Sequence, residues 1–266
     1  MKLRFILAMA LPLMAGAANA QSRTREEALA AVEKYSRLIE AEPHYAPFHT
    51  QRGDACFALG DFQGAAQSYT AAIRLDDAQD RAYFGRGMAL GRMGLVDEGI
   101  ADLDVYIRRH PDSSVAHTKR GVRNIWRNNL VAAERDLARA IELDPNNAEA
   151  HDDLGVVHAR HKRLELAAHH FSMAIRLDPT YQKAFHNLAI VFFMVKQYAE
   201  ALQIVDAGLQ LDAGSRSSLL LKSGILQAMG RTEEARRIAG QAKLLPEENW
   251  SERSALAEYA DREEGK

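Results

Sequence analysis

The sequence predicts an all-α fold, a solenoid of stacked helix hairpins, and three observations predict it. First, a 34-residue period runs without an insertion through the column Ala31, Ala65, Gly99, Ala133, Ala167, Ala201 and Ala235. Other columns keep the same phase: Gly53, Gly87, Gly121, Gly155, Ala189 and Ser223, and Ile39, Ile73, Ile107, Ile141, Ile175 and Leu209. Second, prolines punctuate the period at Pro43, Pro111, Pro145 and Pro179. Third, apolar residues within each period recur at helical spacing, so positions 4, 7, 8 and 11 of each repeat share one face.

The elements follow in chain order. Lys2 and Arg4 make a basic start, Phe5 to Met14 is an apolar run broken only by Pro12, and Ala18-Asn19-Ala20 is a small-x-small end. This is the pattern of a secretory signal peptide over residues 1–20, with cleavage expected after Ala20. The run is too short to anchor a helix across a bilayer, and no second apolar stretch of spanning length follows. The mature chain is therefore expected to be exported or secreted without stable membrane insertion, with the periplasm as the natural compartment. Residues 21–45 hold an N-terminal capping helix, a half repeat. Six repeats are expected at 46–79, 80–113, 114–147, 148–181, 182–215 and 216–249, and residues 250–266 at the end read as one further helix and tail.

Within a repeat, small residues at positions 8 and 20 let two helices approach closely, and a large one at 24, such as Tyr35, Tyr69 or Phe171, fills the space left. Proline at 32 ends one helix and is pre-set for the first turn of the next. Gly60, Gly94 and Gly230 sit at the turn inside the hairpin, where a left-handed residue closes a helix. Arg52, Arg86 and Arg120 occupy position 7, and Asp102 and Asp136 occupy position 23. Arg86–Asp102 and Arg120–Asp136 pairs are expected, serving register more than net stability. The sixth repeat departs most from the pattern, with Lys222, Thr232 and Lys243 at apolar positions.

The repeat ends, Ala-Ile-Arg-Leu-Asp at 72–76, Ala-Ile-Glu-Leu-Asp-Pro at 140–145 and Ala-Ile-Arg-Leu-Asp-Pro at 174–179, carry a family resemblance. The sequence resembles the tetratricopeptide repeat over nearly all of the chain beyond residue 20. The resemblance implies a right-handed α-solenoid with terminal capping helices, and a protein-binding scaffold rather than an enzyme. Similar exported repeat proteins act as adaptors in cell-envelope assembly, pilus or secretion machinery and peptidoglycan enzyme complexes. The family's two-carboxylate clamp for a partner's C-terminus is matched only by Lys183 and Asn187.

Composition narrows the function. Of 266 residues 47% are hydrophobic, enough for a core, and the net charge of −2 favours neither nucleic acid nor an anionic membrane. A single cysteine, Cys56, excludes a disulfide framework and a multi-thiolate zinc site. Its helical core position argues for an inert thiol. No nucleophile elbow, phosphate loop or carboxylate pair marks a catalytic site, and no cofactor is implied.

Ten histidines invite a metal reading. His49, His117 and His151 all fall at position 4, and recurrence at one phase means packing. The fourth repeat adds His158, His161, His169 and His170. Of these, His158, His161 and His169 are weak metal candidates across one hairpin. The plainer expectation is His158 in the core and the others in solvent.

Binding is expected on the inner face lined by the first helices. Positions 2, 5, 9, 12 and 13 point away from the hairpin core and give Phe84, Met88, Arg92, Val122, Ile125, Trp126, Asp152, Val156, Arg160, Lys183, His186, Ile190, Phe193 and Met194. Nine of these are apolar, and Arg92, Arg160 and Lys183 rim them, the pattern of a groove for an apolar or amphipathic partner segment. Competing expectations are that neighbouring repeats bury the stripe on themselves, that the C-terminal helix with Trp250, Leu256 and Tyr259 plugs it, or that it is a homodimer interface.

Overall fold

The computed structural model of the protein describes residues 14–246, and of residues 14–24 the helical backbone alone. The described residues are all-α, with thirteen helices. They are α1 (Met14–Ala41), α2 (Ala46–Ala58), α3 (Phe62–Leu75), α4 (Asp80–Arg92), α5 (Val96–Arg109), α6 (Ser114–Trp126), α7 (Leu130–Leu143), α8 (Ala148–Arg160), α9 (Leu164–Leu177), α10 (Gln182–Met194), α11 (Tyr198–Leu211), α12 (Arg216–Ala228) and α13 (Thr232–Lys243). From α2 onward each odd-placed member of the series starts 34 residues after the one before, at Ala46, Asp80, Ser114, Ala148, Gln182 and Arg216. The expected signal peptide falls largely outside the described residues, and the expected C-terminal helix lies wholly outside them.

The chain divides into two compact units, ending at Gly94 and beginning at Leu95. In the first unit α1 packs on α2, α2 pairs with α3, and α4 lies against both α2 and α3. Its core gathers Cys56, Ala65, Tyr69, Ala72, Ala82 and Ala89. In the second unit α5 packs on α6, and four hairpins follow: α6–α7, α8–α9, α10–α11 and α12–α13. One core runs from Ile125 to Ile225 through α6 to α12. The last hairpin keeps a smaller one of Leu219, Leu226, Ala235, Ile238 and Ala242.

The hairpins close by size matching between positions 8 and 24. A Cβ on Gly53 would stand 2.6 Å from the Tyr69 ring, one on Gly121 2.7 Å from Leu137, and one on Gly155 2.6 Å from Phe171. Where position 8 is Ala189, position 24 shrinks to Val205. The turn at position 15 is left-handed in every described case. Gly60, Gly94 and Gly230 adopt it, as expected, but so do Asn128 (φ 62°), Lys162 (φ 61°) and Lys196 (φ 61°).

Between repeats the aspartate after the closing leucine, followed by proline at Asp144 and Asp178 and by alanine at Asp212, closes an Asx turn. Asp144 accepts from the Asn146 amide at 3.0 Å, Asp178 from Thr180 at 2.9 Å and Asp212 from Gly214 at 2.9 Å. N-caps open the helices: Asp61, Ser113, Asn129, Asn147 and Ser215 each accept from an amide three residues on.

Position 7 follows a rule. Arg120 donates Nε and Nη2 to Asp136 at 2.9 and 2.6 Å, the expected pair, and Nη1 to Asp104 at 2.6 Å. Its reach thus joins position 23 of its own repeat to position 25 of the one before. Arg52 meets Ser68 at 3.0 Å and Arg86 meets Thr70 at 3.2 Å by the same geometry. Lys222 stands 2.7 Å from Asp206 in that slot, which explains its place in the sixth repeat. Arg86 and Asp102 belong to different units, so their pairing stays an expectation.

Candidate functional site

In the second unit the first helices lie side by side, α6 against α8, α8 against α10 and α10 against α12. Positions that face away from their own hairpin therefore meet the next first helix. Val122, Ile125, Val156 and Ile190 are buried there, as are Asp152 and His186. Most of the expected apolar stripe in this unit is thus packing between hairpins. Trp126, Arg160, Lys183, Phe193 and Met194 remain partly exposed. In the first unit Phe84, Met88 and Arg92 on α4 are partly exposed as well.

Trp126, Arg160 and Met194 share position 13 on α6, α8 and α10, with Phe193 beside Met194. Arg160 lies toward the end of α6, donating Nη1 to the Ile125 carbonyl and Nη2 to Asn128 Oδ1, both at 3.0 Å. The Trp126 ring is backed by the guanidinium of Arg123, 4.5 Å from the ring centroid and itself 1% exposed. Phe193 packs on Tyr198, centroids 5.7 Å apart.

The cationic rim is partly spent inside the protein. Lys183 Nζ is 3.2 Å from Asp152 and 3.1 Å from Asp153, and Asn187 donates to Asp152 at 2.9 Å. Burial raises both carboxyl pKa values against the pull of Lys183, Asp153 to about 7. Nothing in the spacing of α8 and α10 announced this buried cluster.

Position 4 has a defined job. His49 Nε2 is 2.9 Å from the carbonyl of Pro43, His117 Nε2 3.2 Å from that of Pro111, and His151 Nε2 3.3 Å from that of Pro145. Each imidazole ties its helix to the preceding turn. His186 meets Ser218 Oγ at 3.2 Å, and burial lowers its pKa to about 4.

The fourth repeat differs from the expectation of one core histidine with the rest in solvent. His158 is in the core. His170, however, is half-buried and packs on both His151 and His158. It follows His169, which is exposed, its ring edge-on to His170. His161 is exposed and 3.9 Å from Glu134, which Arg163 grips at 2.6 and 3.0 Å. The structure does not bring His158, His161 and His169 together, and among the described residues no three His, Cys, Asp or Glu side chains are placed to hold a metal ion. Cys56 is buried, which pushes its thiol pKa up. No helix among the described residues is long and apolar enough to cross a membrane.

A stack of helix hairpins in strict 34-residue register defines a class, the helical repeat scaffold. Family models described as TPR repeat and tetratricopeptide repeat match residues 53–94, 81–113 and 127–182. Residues 53–113 and 127–182 thus carry tetratricopeptide repeats. Its structure is similar to a chain of the APC/C hetero-tetramer Cut9-Hcn1, with TM-score 0.75 and 16% identity over 91% of this chain. The match spans 48% of that chain, about half its length. It is similar to PilW, a widely conserved type IV pilus biogenesis factor, with TM-score 0.69, 19% identity, and 80% and 97% of the two chains covered. It is also similar to YrrB, a TPR protein with an unusual peptide-binding site, with TM-score 0.54, 21% identity, and 71% and 97% covered. These likenesses establish the fold. A comparison with curated proteins finds no match.

Proposed function

We propose that the chain is a non-catalytic interaction scaffold of the cell envelope, exported with cleavage after Ala20. It holds an apolar or amphipathic segment of a partner protein on its first-helix face. The observation that carries this reading is the row of Trp126, Arg160 and Met194 with Phe193. These side chains stay partly open in a wall whose other apolar members are closed. Tryptophan and arginine dominate binding energy at interfaces, and methionine adapts to varied partners. The basic start, apolar run and Ala18-Asn19-Ala20 end support export. The likeness to a pilus biogenesis factor and to a peptide-binding TPR protein supports a binding role in the envelope.

The test is a paired pull-down from envelope extract with residues 21–266, native against a Trp126→Ala, Phe193→Ala double variant matched in helix content. Partners held by the native bait and lost by the variant support the reading. The same partners on both move the site to another surface. No partner on either, with a mass doubling in light scattering, replaces it with self-association.

A further inference from the structure

Three imidazoles meet where α8 closes on α9. His151 and His170 face each other Nδ1 to Nδ1 at 3.1 Å. The His158 ring lies 5.2 Å from that of His170, tilted by 31°. Because the Pro145 carbonyl can only accept, Nε2 of His151 carries a proton toward it. In neutral His151 the Nδ1 is then a bare acceptor, and His170 donates to it from its own Nδ1. His158 is 7% exposed, and its Nδ1 is buried without a hydrogen-bond partner. The cluster is three bases in contact with no acid among them.

The surroundings do not supply a free counter-charge. Arg176 and His169, both on α9, act on His151. Arg163, His161 and Glu134 act on His158. Glu134 is the one carboxylate in that set, and it is already held by both terminal nitrogens of Arg163. The third repeat answers the same positions differently: there His117 at position 4 has Asp136 at position 23, Nδ1 to Oδ1 3.7 Å. The third repeat thus sets a carboxylate, shared with Arg120, where the fourth sets another base.

We propose that the His151, His158 and His170 cluster is an acid-responsive joint: uncharged, it closes α8 on α9, and its protonation loosens this hairpin. Burial holds all three imidazoles below their usual range, His170 down to about 4. The sign follows from linkage. The opened hairpin takes up protons near the ordinary value of about 6.5, and the closed one does not. The histidine contribution to closure is therefore strongest above about pH 6.5 and weakens as pH falls toward 4, while Asp152 and Asp153, also on α8 and raised by burial, act in the opposite sense. Because α8 also carries Arg160, opening would take apart the proposed binding wall. That consequence rests on the functional reading above; the titration does not.

The test combines imidazole nitrogen resonances with amide-exchange protection factors on the full chain in EDTA, between about pH 7 and pH 5. His170 is expected to stay neutral at about pH 6, where free histidine is substantially charged, and His151 and His158 to titrate below the free value. As pH falls, protection of α8 and α9 relative to α6 and α7 is expected to drop further in the native chain than in His170→Phe, which leaves the opposing Asp152 and Asp153 in place. Rings that titrate near the free value, or the same pH dependence of α8–α9 protection in His170→Phe, would overturn the proposal. If His170→Phe does not fold, the native ring titration decides alone.

Discussion

The third and fourth repeats put different chemistry on one backbone. Between α6 and α7, Arg120 at position 7 and Asp136 at position 23 make a charged pair, with Asn124 donating to Asp136 at 3.2 Å. Between α8 and α9, position 7 is Leu154 and position 23 is His170, and the polar contact is between two neutral rings. Both hairpins bury the side chain at position 24, Leu137 or Phe171, completely. The comparison teaches that the helical frame is set by the small-against-large match at positions 8 and 24. Positions 4, 7 and 23 are free to choose how the interface answers to charge.

The sharpest way to test the shared frame is to empty it. Phe171→Ala should cost about 3–5 kcal/mol and Leu137→Ala about 2–5 kcal/mol in urea unfolding, because each leaves a void over a glycine. Unequal losses far outside those ranges would mean that the two hairpins do not share one packing rule. Next comes the charged pair. Asp136→Ala should cost about 3 kcal/mol, since Arg120 would keep only Asp104. A loss near zero would show that Arg120 simply turns to water.

A smaller but more informative change converts one solution into the other. His170→Asp places a carboxylate opposite His151, as in the third repeat. The His151 pKa should rise, and its contribution would then be present below about pH 6.5 and lost as pH rises through the new value. The fourth repeat should thus gain stability toward acid by about 1 kcal/mol relative to the native chain, and an unchanged pH slope would contradict this. The smallest effect belongs to the turns. Lys162→Gly and Lys196→Gly should each stabilise by up to about 1 kcal/mol, because a left-handed residue costs lysine more than glycine. Asn128→Gly should gain less, since asparagine tolerates that conformation.

Much of this was legible in the sequence. Columns in phase imply helices in phase, because each hairpin must present the same surface to the next; α6, α8 and α10 begin where the period puts them. The Arg120–Asp136 pair could be read from its spacing alone. The turn residues Lys162 and Lys196 could not, since the fold imposes a left-handed conformation that lysine does not advertise. The inner face was misjudged for a physical reason. A helical wheel shows which side faces away from the hairpin partner, but not that α8 is flanked by α6 and α10. Val122, Val156 and Ile190 looked open and are core. His170 was missed because the histidines were sorted by spacing along the chain; aligning His117 and Asp136 with His151 and His170 would have paired them.

The division of the second unit into a long shared core and a small terminal one bears on how it responds to force. Contacts run only between neighbouring hairpins, so tension at the C-terminal end is resisted by one interface at a time. The α12–α13 hairpin, whose own core is Leu219, Leu226, Ile238 and two alanines beside Leu202 and Leu209 of α11, is expected to yield first. The rest of the shared core, which reaches from α6 to Ile225 of α12, is then expected to give way stepwise rather than at once. Each step would release about 34 residues of slack, roughly 110 Å of extended chain, at modest load. A scaffold built this way lengthens under a pull instead of snapping, and recoils when the load is removed.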